Sequence, residues 1–420
     1  MNAPQQQINK NLFTLLFTVF LDFLGFGIVI PIIAPIFLDP LNGVLHGGYT
    51  YSARTIILGF LIATFPIAQF FGAPMLGALS DKYGRKKILL VSIFFTSVSL
   101  ILFGIGIMSR NLVLLFFSRL LNGLMGGNVS TAQSAIADMS DLQSKAKNFG
   151  LMGMVFGLGF ILGPFFGGKL ADSHTVSWFN YATPFWVAGI LSLINVILIS
   201  VLFKETLRVP NTDAPIKWST GFKNVQRAFS NADLRIIFIV SFLTIFGFTS
   251  FTQFFQVYLI KMFNFNQAHI GMIYAYLGLW IALTQGGIVR LLSKQYVPEK
   301  ILRFSIVALS ISIILLLLPE DSSTLYFILP FVSLTQGVST PNIMVIISNY
   351  AGVQDQGEIL GINQSVQAVG FAVPPIIAGF ISTIDFRLPI VMGSVFVFAS
   401  WIVFILYNNK TKTVGTVGSV

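Results

Sequence analysis

A chain of 420 residues with 55% hydrophobic residues, 10% charged residues and a mean hydropathy of +0.82 is not written for water, because an average soluble domain carries roughly a quarter charged residues. It contains no cysteine, which excludes disulfides, thiol catalysis and thiolate metal sites. The formal charge of +10 could point to nucleic acid, but the basic residues cluster at the ends of apolar runs, so no nucleic-acid partner is expected.

The short polar start MNAPQQQINK leads into an apolar run at 11–38. That run is too long for a signal-peptide core and lacks a small-residue cleavage site, so it reads as a retained first span. It carries Asp22 within LDFLGFG (21–27), ahead of Pro31 and Pro35. The second span, 54–79, ends in GALSDKYGRKK (77–87), and the third follows at 88–107. A plain positive-inside anchor explains Lys82, Arg85, Lys86 and Lys87. It does not explain Asp81 between Gly77 and Gly84, so an anchor and a gate both remain open for this loop. The fourth span, 112–137, contains RLLNG (119–123), with Arg119 and Asn122, and Asp138 lies at its end. In the fifth, 148–171, small residues at 150, 153, 157, 159, 163, 167 and 168 form a groove, and Pro164 permits a bend. The sixth is 183–203.

A polar connection, 204–235, separates these spans from six more at 236–260, 269–292, 301–318, 325–350, 359–382 and 389–407. Each run is long enough to cross about 30 Å of hydrocarbon. Aligning the chain with itself places Gly150, Gly159, Pro164 and Gly168 on Gly361, Gly370, Pro375 and Gly379 without a gap. Spans five and eleven are thus one element used twice. The expected organisation is a six-helix bundle at 1–203, a cytoplasmic linker at 204–235, a second bundle at 236–407 and a cytoplasmic tail at 408–420.

With the N-terminus inside, Lys10, Lys82, Arg85, Lys86, Lys87, Lys204, Arg208, Lys217, Arg290, Lys294, Lys300 and Arg303 all fall on the cytoplasmic side. Arg54, Arg110, Lys169, Lys261 and Arg387 fall outside. Both termini are therefore expected in the cytoplasm. Asp22 and Arg119 are the ionisable residues deep inside apolar spans, where each costs at least ~2.5–3.5 kcal/mol at the bilayer centre. They read either as a proton-coupling centre or as a static ion pair joining two helices. Overlaying the halves sets Asp22 on Thr244 and Arg119 on Pro330, so the charges belong to the first half alone. Uncharged polar residues in the spans, Gln69, Asn128, Gln253, Gln256 and Asn342 among them, either line a cavity or join helices. Gln253 and Gln256 in FTQFFQVY are the preferred substrate contacts, followed by Asn122 and Asn342. His46, His174 and His269 sit at outer span ends or in outer loops, as ordinary loop histidines or as an outward pH sensor. No metal cluster and no phosphate-binding Gly-Lys-Ser/Thr loop is present in the sequence.

The 77–87 segment resembles the signature loop of the major facilitator superfamily, with Gly77, Asp81, Gly84 and Arg85 in place. Residues 21–27 resemble the first span of drug/proton antiporters, and Gly159, Gly163, Pro164, Gly167 and Gly168 resemble their antiporter motif in span five. Residues 119–123 match the intramembrane arginine motif. The likeness is strongest to the tetracycline/proton antiporter group. In the second half, the loop from Arg290 to Lys300 has lost the Asp-x-x-Gly-Arg core.

This resemblance implies an all-α integral membrane protein, with about twelve transmembrane helices in two six-helix repeats around a central cavity. It implies a cytoplasmic charge network of Asp81 and Arg85 with Asp138 as partner, and proton coupling through Asp22 and Arg119. The expected function is proton-coupled antiport that exports a small amphiphilic or drug-like compound. The alternative is transport, in either direction, of an endogenous metabolite such as a siderophore-like compound. No enzyme activity and no cofactor are expected, the energy coming from a proton gradient. The expected partners are substrate, protons and the lipid bilayer, with a functional monomer in the plasma membrane, as in a bacterial inner membrane.

Overall fold

The computed structural model describes residues 3–39, 43–45, 48–140, 142–207, 219–230, 232–350 and 356–417. His46, Arg208 and Lys217 lie outside the described residues, as do 208–218 and 231 of the linker and 418–420 of the tail.

Every regular element among the described residues is helical. The first half comprises α1 (Ala3–Ile33), α2 (Pro35–Leu38), α3 (Tyr51–Tyr83), α4 (Arg85–Met108), α5 (Leu112–Met125), α6 (Asn128–Asp138), α7 (Leu142–Leu170) and α8 (Thr183–Leu202). Next come α9 (Thr220–Ser230), α10 (Ala232–Phe263) and α11 (Gln267–Leu283). A π-helical turn at Thr284–Ile288 leads into α12 (Val289–Ser293), α13 (Pro298–Leu315), α14 (Ser322–Tyr350), α15 (Gln356–Ile381) and α16 (Leu388–Val417).

Local chemistry sets several boundaries. Thr50 accepts a bond from the Ala53 N–H at 3.2 Å to start α3, and Asn111 accepts from Leu114 N–H at 3.1 Å to start α5. Gly84 separates α3 from α4 with φ +98°, which a side chain would resist. Pro31, Pro66, Pro74 and Pro164 lie inside helices of the first half, as membrane-spanning helices generally tolerate.

Eleven helices among the described residues are long and apolar enough to cross a membrane. The span expected at 301–318 is present as α13, and Glu299, Lys300 and Arg303 in its first turns set it apart from these eleven. The fourth span also differs from the expected unbroken run. Gly126 and Gly127 split it into α5 and α6, because two adjacent glycines weaken a helix and add no side chain to hold it. The Gly126 carbonyl freed at the break accepts a bond from Gln69 Nε2 at 3.0 Å.

The chain forms two compact units. The first is Met1–Thr220 together with Phe265–Ala275, and the second is Gly221–Asn264 with Tyr276–Val420. Within the first, α1 packs most extensively on α7, α3 on α5 and α4 on α8. In the second, α10 packs on α15 and α13 on α16, which repeats the pairing of α1 with α7 and of α4 with α8.

Candidate functional site

The close seam between α1 and α7 positions the site. A methyl on Gly163 would lie 2.6 Å from the Leu24 carbonyl oxygen and 2.8 Å from Gly27 Cα. On Gly159 it would lie 2.8 Å from Phe23 Cβ, and on Gly167 2.6 Å from the Ile28 carbonyl oxygen. Residues four apart share one helix face, so these three glycines let α7 lie backbone to backbone against the α1 turns that carry Asp22. Pro164 meets Gly27 on the same seam, whereas Gly168 faces Ala268. The groove read from the sequence is shorter than its small residues suggest: Gly150 and Gly153 have open space where a side chain would go.

Asp22 projects from α1 toward the start of α6. Asn128 Nδ2 donates to its Oδ1 at 2.8 Å, and its Oδ2 is shielded from solvent with no hydrogen-bond partner. Asn128 reaches this carboxylate because the Gly126–Gly127 break makes it the first residue of α6. Aromatic rings surround this stretch of α1. Phe23 meets Phe156 edge-on at 4.1 Å, and Phe26 lies 6.0 Å from Phe65 and 6.4 Å from Phe160.

Arg119, on α5, is buried. Its guanidinium stands 5.0 Å over the Phe65 ring, and its Nε has no partner. No ion pair joins it to Asp22; the carboxylate is met by the neutral amide of Asn128 instead. Phe65 thus touches both surroundings, with Phe26 on one side and Arg119 on the other.

The loop between α3 and α4 is a charge network. Buried Arg85 pairs with Asp81 through Nη1 at 2.5 Å and with Asp138 through Nε at 3.0 Å, and its Nη1 also donates to Ser80 Oγ at 2.6 Å. The structure therefore brings Asp81, Arg85 and Asp138 together. It adds Glu205, just beyond α8, which sequence reasoning missed. The Glu205 carboxylate accepts the backbone N–H of Arg85 and of Lys86, each at 3.0 Å, and so caps the exposed donors at the start of α4. Any side chain at Gly84 would collide with this carboxylate, whose Oε2 would be 2.5 Å away. Gly77 has open space around it.

The candidate substrate residues differ in availability. Gln256 is fully buried and donates to the Gln253 carbonyl of its own helix at 3.1 Å. Asn342 is buried and donates to Val338 O at 2.7 Å, again within its helix. Asn122 and Gln253 are half-buried. Among polar groups in the spans, Asn128 and Gln69 carry the clearer structural assignments.

The Major Facilitator Superfamily profile matches two overlapping stretches, 15–334 and 292–418. The chain belongs to the major facilitator superfamily. Quinolone resistance protein NorA of Staphylococcus aureus (strain COL) is 31% identical over 402 residues, covering 92% of this chain and 93% of that protein. Multidrug resistance protein 1 of Bacillus subtilis (strain 168) is 30% identical over 392 residues, with the same coverage. Among solved structures, a bacterial homolog of the human lysosomal transporter Spinster superposes with a TM-score of 0.77 at 13% identity, covering 97% of each chain. As a major facilitator, the protein is a multi-pass membrane transporter of small molecules and not an enzyme. Its Asp22 and its Arg85 network both lie in the first unit.

Proposed function

We propose that this transporter is a proton-coupled antiporter that exports a small amphiphilic or drug-like organic compound from the cytoplasm by alternating access. The observation that carries the reading is the Asp22 carboxylate, set on an apolar helix with one oxygen held by a neutral amide and the other without a partner. A carboxylate held by an amide can stay in place in either protonation state, and its unpartnered oxygen is where a proton can come and go. Coupling requires that proton affinity differ between two states of the carrier, and small changes around an otherwise dry carboxylate suffice for that. Proton entry releases about 2.3 kcal/mol per 100 mV and about 1.4 kcal/mol per pH unit, enough for a tenfold or greater outward gradient. The two resistance proteins that resemble the chain over most of its length support a drug-like cargo. Operation as a monomer in the plasma membrane, with both termini cytoplasmic and no cofactor, completes the reading.

Cells overexpressing the protein should accumulate less of a fluoroquinolone or a cationic dye than control cells, and a protonophore should remove the difference. A difference that survives the protonophore would contradict proton coupling.

In this reading the Arg85 network locks the cytoplasmic end. Asp138 is the better shielded partner, its side chain 26% exposed against 45% for Asp81. Leaving a buried cation without its partner costs more than the pair itself contributes. Asp138→Asn should therefore loosen the loop more than Asp81→Asn. In this cysteine-free chain, single cysteines introduced as Lys82→Cys and Met139→Cys report the change as several-fold faster thiol labelling. Unchanged labelling at both positions would reduce the loop to a topology anchor.

A further inference from the structure

The second unit contains a cavity that the transport reading does not use. Its volume is about 470 Å3, with Tyr296, Lys300, Phe304 and Ala308 on one wall and Leu334 and Val338 on the other. The first four recur every four residues, so they form one stripe that runs from the turn before α13 along that helix. The groove is open to the surroundings of the bundle: Phe304 is 63% exposed, and Phe331 on α14 is 60% exposed. In a membrane protein, apolar helix surface of this kind meets lipid. From Lys300 to Ala308 the stripe spans about 12 Å at 1.5 Å per residue, close to the ~15 Å of hydrocarbon in one leaflet.

Lys300 lines the groove, and Arg290, Lys294 and Arg303 lie close to it along the chain. Arg290, Lys294, Lys300 and Arg303 are exposed, and none forms an ion pair among the described residues. Glu299 is the carboxylate in this stretch. Lys300 Nζ is held 4.6 Å over the Tyr296 ring, which keeps a cation at the mouth of the groove. The positive end of the α13 dipole lies at the same place.

We propose that this groove binds an anionic phospholipid of the surrounding bilayer, one acyl chain lying between α13 and α14 and the phosphate lying among Arg290, Lys294 and Lys300. The apolar walls match the chain in character and length, and the unpaired cations match the headgroup. A free phosphate would make no use of the walls. A neutral lipid would leave the cations without a counter-charge. Basic clusters beside spans select anionic lipids, each cation contributing roughly a fivefold preference.

The test is native mass spectrometry of the full-length protein, purified in detergent and given equal amounts of phosphatidylglycerol and phosphatidylcholine. The wild type should retain phosphatidylglycerol in preference by roughly a hundredfold, and Lys294→Gln with Lys300→Gln, which leaves Arg290 in place, should lower the ratio to roughly fivefold. Both lysines are exposed, so the double variant keeps its fold. Ala308→Phe, which fills the groove without altering charge, should lower retention of both lipids, and excess inorganic phosphate should leave the bound lipid in place. The same lipid ratio in wild type and double variant would overturn the proposal. So would unchanged retention by Ala308→Phe, or displacement of the lipid by inorganic phosphate, which would mark an ionic site only.

Discussion

Replacing Asp22 by Asn is expected to abolish uphill, proton-driven efflux while leaving the protein folded in the membrane. The substitution keeps the shape of the side chain and an oxygen that can accept the Asn128 amide. It removes the carboxylate of α1, the group there able to bind and release a proton within the apolar span. It also removes an intramembrane charge whose placement costs ~2.5–3.5 kcal/mol, so insertion should not suffer. Downhill exchange of substrate should persist, because movement of the carrier does not itself need the proton. Asp22→Glu should retain part of the uphill activity. The role of Arg119 is tested in the same assay. If the two charges merely neutralised one another, Arg119→Gln added to Asp22→Asn would restore transport, since a neutral pair is often tolerated where a lone buried charge is not. The structure pairs Asp22 with Asn128 and sets Arg119 on Phe65, so no restoration is expected. Recovery of pH-gradient-driven efflux in the double variant would show the charges to be structural.

The second large effect is expected at the seam between α1 and α7. Gly163→Leu puts side-chain atoms where Leu24 O and Gly27 Cα already lie, at 2.6 and 2.8 Å from the first added carbon. Both obstacles are backbone, so no rotamer change relieves the clash and the helices must separate. Overpacking of this kind costs at least about 1–3 kcal/mol. In a membrane the loss is not offset by hydrophobic drive, because lipid is as apolar as the helix surface. Thermal unfolding in detergent should fall by several degrees, and transport should fall with it as Asp22 and its aromatic surroundings shift. Gly153→Ala is the matched control, since nothing lies within 4 Å of the added carbon, and it should leave both unchanged. Equal melting temperatures for the two variants would mean that the glycines do not set the approach of the helices.

Hydropathy made the spans legible, because length and the absence of charge are all that crossing a bilayer demands. The loop at 77–87 was legible for a related reason: its charges begin where the apolar run stops, and Asp81 and Gly84 stand out among basic residues. The partners of these groups were harder to read. Which in-span amide meets Asp22 depends on how each helix is rotated and on which helices are neighbours, and neither leaves a mark in composition. Asn128 did carry one signal. It follows Gly126 and Gly127 in the middle of an apolar run, and a helix break there exposes backbone groups that need partners. Glu205 gave none, because a carboxylate beside Lys204 just past a span looks like any solvated end. Its function arises only when the end of α8 lies beside the start of α4. The helix α13 shows the converse, a span expected from its apolar core whose first turns carry Glu299, Lys300 and Arg303.

The measurement that bears most directly on proton-coupled export is substrate-driven proton movement in proteoliposomes with no imposed gradient. Vesicles containing the purified protein and a trapped pH-sensitive dye receive a transported compound outside. Antiport predicts that entry of the compound drives protons out, so the lumen becomes alkaline at a rate that saturates with compound, and that Asp22→Asn vesicles show no change. Entry of the compound at the wild-type rate with no change in lumenal pH would contradict the account.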